Sequence, residues 1–592
     1  MPIEIVSYVE LQDVFPDQEC TIGHLAECLR PLPLDLVLEM SARINHTASG
    51  PSRLTLLERQ RQLAGGILSP ESLARLRAAT PTGATDAPKK AVLFFRAQLF
   101  ELVRWALLLC EGPPLDRSWN QDEKELFTQA ALICSSVTEA TMRSVLDEAE
   151  VEEFVDYALI FFRAAMSASL TGLDANTAIG RGCELFLDYL PKHYPDFDQE
   201  FEQATGLSVA DYMTTAGTLV ALHLQSDNQA ILTDAVTLGS ETDYESQFAA
   251  YQANQITSID KLRAALWPAK VVPQAFDEVD PLNLRPFRQK PIIALSDGRG
   301  AVLDPILLAD SVSVGPLFQV LKKRPPNEVF GHFGDAFEEY AGDIFSRSFP
   351  SGSRLHQCLL RDVPYTDADG VDTQLDYCLD YVNELVLIEA KGIFLPDRYI
   401  MEFDDAGYKE ALAERYLHGD RPVGVGQLAR AIRALSCGAW RGPSPEAEVS
   451  LVYPVLLVHD RLLQDPLSTK LVADLLVSEL GASRDEASWQ WKYGDLCFAP
   501  LTILIIDDLE NLENSHGIDV RDLLRAYSES VPERNGSLHD FIATTEMLRE
   551  ELRANHSLGH RATDFLRDCT RRVFGKEPGE SGEAVEAKEE SG

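Results

Sequence analysis

Gln374-Leu-Asp-Tyr-Cys-Leu-Asp-Tyr-Val-Asn-Glu-Leu-Val-Leu-Ile-Glu-Ala-Lys391 is the stretch on which the fold turns. In its first run Leu375, Tyr377, Leu379 and Tyr381 alternate with Asp376, Cys378 and Asp380, the period of two expected of a half-buried strand. The second run, Leu385 to Ala390, is almost continuously apolar, as in a central strand. Val382-Asn383 between them fits a two-residue hairpin loop, with Asn383 tolerating the positive φ such loops need. If Tyr381 faces Glu384, Asp376 sits directly opposite Glu389, and opposed side chains lie roughly 4.5–5.5 Å apart at Cβ. Lys391, two residues past Glu389, projects from the same face. Two carboxylates and an ammonium then converge where bare carboxylates would repel each other. A hard divalent cation removes that conflict, and carboxylates with water are what Mg²⁺ prefers. Asp380 and Asp372 are competing acids, but Asp380 lies about 13 Å along the strand and faces Leu385.

Asp376 with the triplet Glu389-Ala390-Lys391 resembles the PD-(D/E)xK nuclease superfamily, whose fold is restriction-endonuclease-like. The resemblance covers roughly residues 327–510. It implies that Asp376, Glu389 and the Ala390 carbonyl hold Mg²⁺, with Mn²⁺ able to substitute, and that Lys391 orients the attacking water or neutralises the phosphate. Asn327 to Phe349 is an amphipathic pattern with Phe330, Phe333, Phe337, Tyr340, Ile344 and Phe345 on its apolar face. Its string Gly334-Asp-Ala-Phe-Glu-Glu-Tyr340 resembles the helix that delivers a Glu to the metal in that superfamily, and the resemblance implies Glu338; Glu339 is expected to face solvent. His332 reads as a cap or packing residue. The superfamily places a helix after the ExK strand, often with Gln or basic residues near the DNA; in Gly424 to Leu435 the resemblance implies Gln427, Arg430 and Arg433 for that role, although Ala431 stands where the RecB-like branch has Tyr. Ser450–His459 and Ala499–Ile506 read as strands that would extend the sheet, giving the α-β-β-β-α-β order that the resemblance implies. Asp507 and Glu510, three apart at a strand-to-helix junction, read as a capping box.

The rest of the chain frames this region. At 592 residues it should hold two to four domains. The expected architecture is α+β and multidomain: a helical region over 1–85, an all-helical domain over 89–270, a nuclease-like α/β domain over 276–530, helices over 531–575 and an acidic disordered tail over 576–592. Almost no strand is expected before residue 268. Pro81–Pro88 reads as a linker, and Phe154 to Phe162 as a helix face. Lys290 to Asp304 reads as a small hairpin around Asp297-Gly298. Arg96 and Arg104 are expected to pair with nearby acids or cap carbonyls.

The net charge of −40 argues against a non-specific nucleic-acid coater. The ten cysteines form no CxxC pair, which suits a reduced, cytoplasmic protein. The N-terminus lacks the basic and apolar segments of a signal peptide. Ala91 to Cys110 is interrupted by Arg96, Glu101 and Arg104 and reads as a buried helix rather than a membrane span. With no P-loop, any ATP dependence would need another protein. The expectation is therefore a Mg²⁺-dependent nuclease acting on DNA, in a restriction or antiviral-defence setting by family analogy, with a protein partner or a second copy helping to bind. RNA suits the same residues, since nothing in them reads a 2′-OH. The alternative is a non-catalytic nucleic-acid-binding or scaffold subunit of a larger complex.

Overall fold

A computed structural model describes residues 6–574, except 50–55, 80–88, 114–118, 149–174, 226–230, 233–244, 270, 280–281, 322, 350–357, 368–369, 396–404, 419–422, 442–448, 465, 485–487, 514, 516–517, 535–536, 546, 549–551 and 553–555. The expected linker at 81–88, the face at 154–162 and the tail at 576–592 lie outside the described residues.

The chain is mixed α and β, with its main sheet in the C-terminal half. A long helix, α1 (Pro326–Ser348), precedes three antiparallel strands: β1 (Cys358–Thr366), β2 (Asp372–Asp380) and β3 (Glu384–Lys391). Two helices follow, α2 (Asp405–Tyr416) and α3 (Val425–Ser436). The chain then returns as β4 (Leu451–Val458), parallel to β3 along its whole length. Beyond β4 lie β5 (Leu496–Phe498) and β6 (Thr502–Ile505), both parallel to it. The expected strand 499–506 is thus shorter, and helix α4 (Ile506–Glu513) begins directly at its end.

The hairpin register follows the expected arithmetic. Tyr377 pairs with Ile388, Cys378 with Leu387, Leu379 with Val386 and Asp380 with Leu385. Two local expectations change. The positive φ of the turn belongs to Val382 (78°), not Asn383, because the buried Asp380 carboxylate accepts the Val382 N–H at 2.7 Å and fixes that residue. And β2 is buried on both faces rather than one, since Asp376, Cys378 and Asp380 are as enclosed as the residues between them.

Both faces are covered because two groups of helices share the sheet. Leu385, Leu387, Val452 and Leu456 pack under α2 and α3. Val386, Ile388, Val455 and Leu457 pack against α1 and against helices from 175–220 and 520–573. That core runs from Ile179 to Val573. Strands also occur earlier than expected: 6–8 pairs with 89–92, and 231–232 and 256–258 flank the small hairpin 292–302.

Charged groups tie these layers. Arg96 pairs with Asp304, which caps the helix Pro305–Ser313, and Arg104 pairs with Glu101. The helix Arg96–Leu109 is buried almost throughout. The expected capping box at Asp507 and Glu510 is instead an ion network. Both acids bind the buried Arg181, Asp507 also binds Arg461, and Tyr340 of α1 donates to Glu510 at 2.7 Å. Removing one partner would leave the others buried with uncompensated charge. Arg181→Met should therefore cost about 3–5 kcal/mol in urea unfolding, whereas Arg324→Met, at an exposed pair with Glu200, should cost under about 1 kcal/mol.

Candidate active site

The β2–β3 ladder ends at Tyr377 and Ile388. One rung further, where Asp376 and Glu389 would oppose each other, the strands part: β3 stays with β4, through Leu456 opposite Glu389 and Val458 opposite Lys391. The expectation of a directly opposed Asp376–Glu389 pair is corrected here. Asp376 reaches across the opening instead, and its Oδ2 accepts the Ala390 N–H at 2.7 Å. A buried N–H at a fork needs such a partner.

The fork gathers the remaining groups. Glu389 is fully buried; its Oε1 accepts from Lys391 Nζ at 2.7 Å, its carboxyl shares a hydrogen bond with the Asp376 carboxyl, and no N–H reaches its Oε2. The Lys391 side chain is 20% exposed, so the pair opens to solvent at its ammonium end. Glu338 arrives half-buried on α1, where its carbonyl accepts the Tyr377 hydroxyl. Two glycines permit this approach. A Cβ on Gly392 would lie 3.0 Å from Phe337 Cβ and 3.1 Å from Gly334 Cα. Gly424, at φ +51°, sits beside Lys391.

The site holds three carboxyls and one ammonium, and its protonation reflects that imbalance. Burial first, then the Asp376 charge, pushes the Glu338 carboxyl up to about 7. Burial pushes Glu389 up to about 8, with the Lys391 ammonium opposing and Asp376 reinforcing the shift. Asp376 is raised for the same first reason. Burial works against the charge on Lys391, but Glu389, Asp376 and Glu338 outweigh it and raise its pKa. Lys391 therefore stays an ammonium, and the surplus carboxyls hold protons until another cation arrives.

The other anticipated residues are placed as follows. Ala390 lies in β3 and meets Asp376 through its N–H. The Gln427 side chain accepts the Gly424 N–H at 3.0 Å and so caps α3. Arg430 pairs with Asp367 at 2.8 Å and Arg433 with Glu479 at 3.0 Å, so acids already engage both arginines. Asp380 belongs to the turn and Asp372 to the far end of β2, where it accepts from Thr366. Glu339 is not free in solvent: it pairs with Lys192 and His193. His332 packs on the Tyr194 ring.

Two residues were missed. Asp362 lies on β1 between the rungs Arg361–Tyr377 and Val363–Leu375, where no rung joins it to Asp376; an extended pairing from β2 back to β1 would have pointed to it. His459 follows β4, and its backbone N–H reaches the Lys391 carbonyl at 3.4 Å. Its ring is enclosed by Phe333, Phe337 and Phe394, and burial lowers its pKa to about 3, so it is a neutral wall of the site. Only its position at a strand end beside Lys391 could have marked it.

No family model, curated protein or solved structure matches this chain. Among the described residues no group of three or more His, Cys, Asp or Glu side chains closes tightly enough to hold a metal by itself. No described helix is long and apolar enough to cross a membrane. Mg²⁺ takes one or two carboxylates and completes its shell with water or phosphate, and the buried Glu389 oxygen that no protein N–H reaches, beside Asp376, is the one feature here that such an ion would suit.

The proton held by Glu389 sets a pH dependence. The folded pKa is near 8, above the ordinary 4.5. Between those values the folded state binds the extra proton, so stability falls as pH rises through that window. In chelator, Glu389→Gln should match wild type near pH 4.5 and become progressively more stable than it toward pH 8, read as the difference in thermal midpoint.

Proposed function

We propose that the chain is a divalent-metal-dependent nuclease hydrolysing phosphodiester bonds of DNA, on a restriction-endonuclease-like core. The observation that carries this reading is the fork: three carboxyls and one ammonium gathered round a buried Glu389 oxygen that no protein N–H reaches, at the end of a sheet built in the order helix, three antiparallel strands, helices, parallel strand. Asp376 and Glu389 would hold Mg²⁺ or Mn²⁺ with Glu338 beside them, and the resemblance adds the Ala390 carbonyl. When bound, such an ion lowers the pKa of water and neutralises charge on the phosphate.

The chain's own groups supply the rest. Lys391, kept protonated by its carboxylates, donates to the attacking water or to a non-bridging phosphate oxygen, where negative charge grows. Glu389 fixes the ammonium through Oε1. Asp376 holds its carboxylate at the opening by its bond to Ala390. The hydrolysis consumes one water and leaves a phosphomonoester and a hydroxyl. A place in restriction or antiviral defence follows from family analogy alone.

A second reading, a non-catalytic binding or scaffold subunit, is favoured by one observation. The helix-α3 arginines are held by Asp367 and Glu479 in a chain of net charge −40, so phosphate affinity would have to come from metal or from a partner.

One assay separates the two. Incubated with Mg²⁺ or Mn²⁺ and duplex DNA, single-stranded DNA or RNA, the wild type should cleave DNA, and Lys391→Ala should lower the rate by about 100-fold or more, the scale of losing one preorganised donor. Equal cleavage by both proteins would refute the assignment. Silence from both, with no Mn²⁺ heat that is lost in Glu389→Ala, would favour the scaffold.

A further inference from the structure

The His459 imidazole is buried, at 4% exposure, and no protein donor or acceptor reaches either of its ring nitrogens. Buried polar groups ordinarily find partners, and leaving them unpaired costs stability. A phenylalanine would fill the same space without that cost. The ring lies against Phe333, Phe337 and Phe394, with centroids 5.3, 5.5 and 5.0 Å away and planes steeply inclined to its own. Departures of this kind from a consistent core gather at functional sites.

One wall of this box borders solvent. The His459 N–H donates to the Lys391 carbonyl, and the Leu395 N–H donates to Asp460 Oδ2 at 2.6 Å. The residues from Gly392 to Phe394 thus form an arch pinned at both ends to the end of β4, and its half-buried Phe394 ring rests on the imidazole. Beyond Phe394 lie Phe330 and Phe318, at 5.9 and 5.6 Å between centroids, and Phe318 is 39% exposed. A series of rings therefore leads from the surface to the imidazole, through a residue three positions from Lys391. Two features narrow the occupant. Burial keeps His459 neutral, and a neutral imidazole offers one donor and one acceptor, which the edge of a nucleobase matches while its π face matches the phenylalanines. The α3 arginines are already held by Asp367 and Glu479, so a polynucleotide gains more here from stacked bases than from its phosphates.

We propose that the Phe394 ring is a plug, and that an unpaired nucleobase of DNA takes its place, stacking on the neighbouring phenylalanines and hydrogen-bonding to the His459 imidazole. The inference deepens the proposed function and rests on it for the choice of DNA. A nuclease with such a pocket acts on a strand whose base is free of its duplex partner, single-stranded or turned out of the stack beside the phosphate to be cut.

The test is fluorescence anisotropy of labelled DNA with the full chain in chelator, where nothing is cut, with thermal midpoints measured alongside. Wild type should bind a single-stranded oligonucleotide more tightly than its duplex, and more tightly than the same strand carrying abasic positions. His459→Phe, which keeps the box filled, and Phe318→Ala, at the exposed end, should each weaken single-strand binding by about 10-fold, the scale of losing one stacked base. The midpoint should be equal or higher in the first variant and unchanged in the second. No binding by wild type, equal binding of base-bearing and abasic strands, or wild-type affinity in both variants would overturn the inference. Because the measurement needs neither metal nor cleavage, base-dependent binding without any Lys391-dependent cleavage in Mg²⁺ would refute the nuclease and leave the base pocket standing.

Discussion

The hydrogen bond from the Ala390 N–H to Asp376 Oδ2 is the constraint on which the site depends. A strand between two neighbours can leave one of them only if the abandoned backbone groups find other partners. At this fork a carboxylate fills that need. The same side chain that closes the sheet thus opens the site, and it is held buried beside Glu389 at a cost in charge repulsion. Lys391 offsets part of that cost, and the rest appears as carboxyls that keep their protons.

The helical half of the chain takes part in this arrangement. Helix α1 meets the sheet on one face and helices from the first 220 residues on the other. Arg181 lies in that earlier region, yet its partners Asp507 and Glu510 follow the last strand, and Glu510 takes the hydroxyl of Tyr340 two residues beyond Glu338. The orientation of Glu338 is therefore set from both ends of the chain. A buried network of this kind adds little net stability over an apolar one, but it discriminates sharply against any arrangement that separates its members.

Charge shapes the outside as well. With 93 acids against 53 lysines and arginines, most basic groups near the site have an acidic partner, including Arg430 and Arg433. A surface of that kind repels polyanions at long range. Under the proposed function, attraction to a phosphate would have to be local, from the Lys391 ammonium and from a bound cation.

Much of this was legible in the sequence because it is encoded at short range. The period of two in Leu375–Tyr381, the two-residue loop and the apolar run to Ala390 determine the hairpin and its register. The apolar face of 327–349 determines helix α1 and places Glu338 at its edge. Alternation repeats every two residues and helical faces every three or four, so these elements are written in spacings a reader can count. What only the tertiary structure decided lies at longer range. The ladder stops one rung short of Asp376 because β3 pairs along its whole length with β4, a strand 60 residues later. His459 joins the site through the end of β4, and the arginines of α3 lose their freedom to acids at Asp367 and Glu479. Arg181 and Glu510 are 329 residues apart. Pairing between distant segments is settled by which buried groups must satisfy one another once the layers are packed, and no local pattern carries that information.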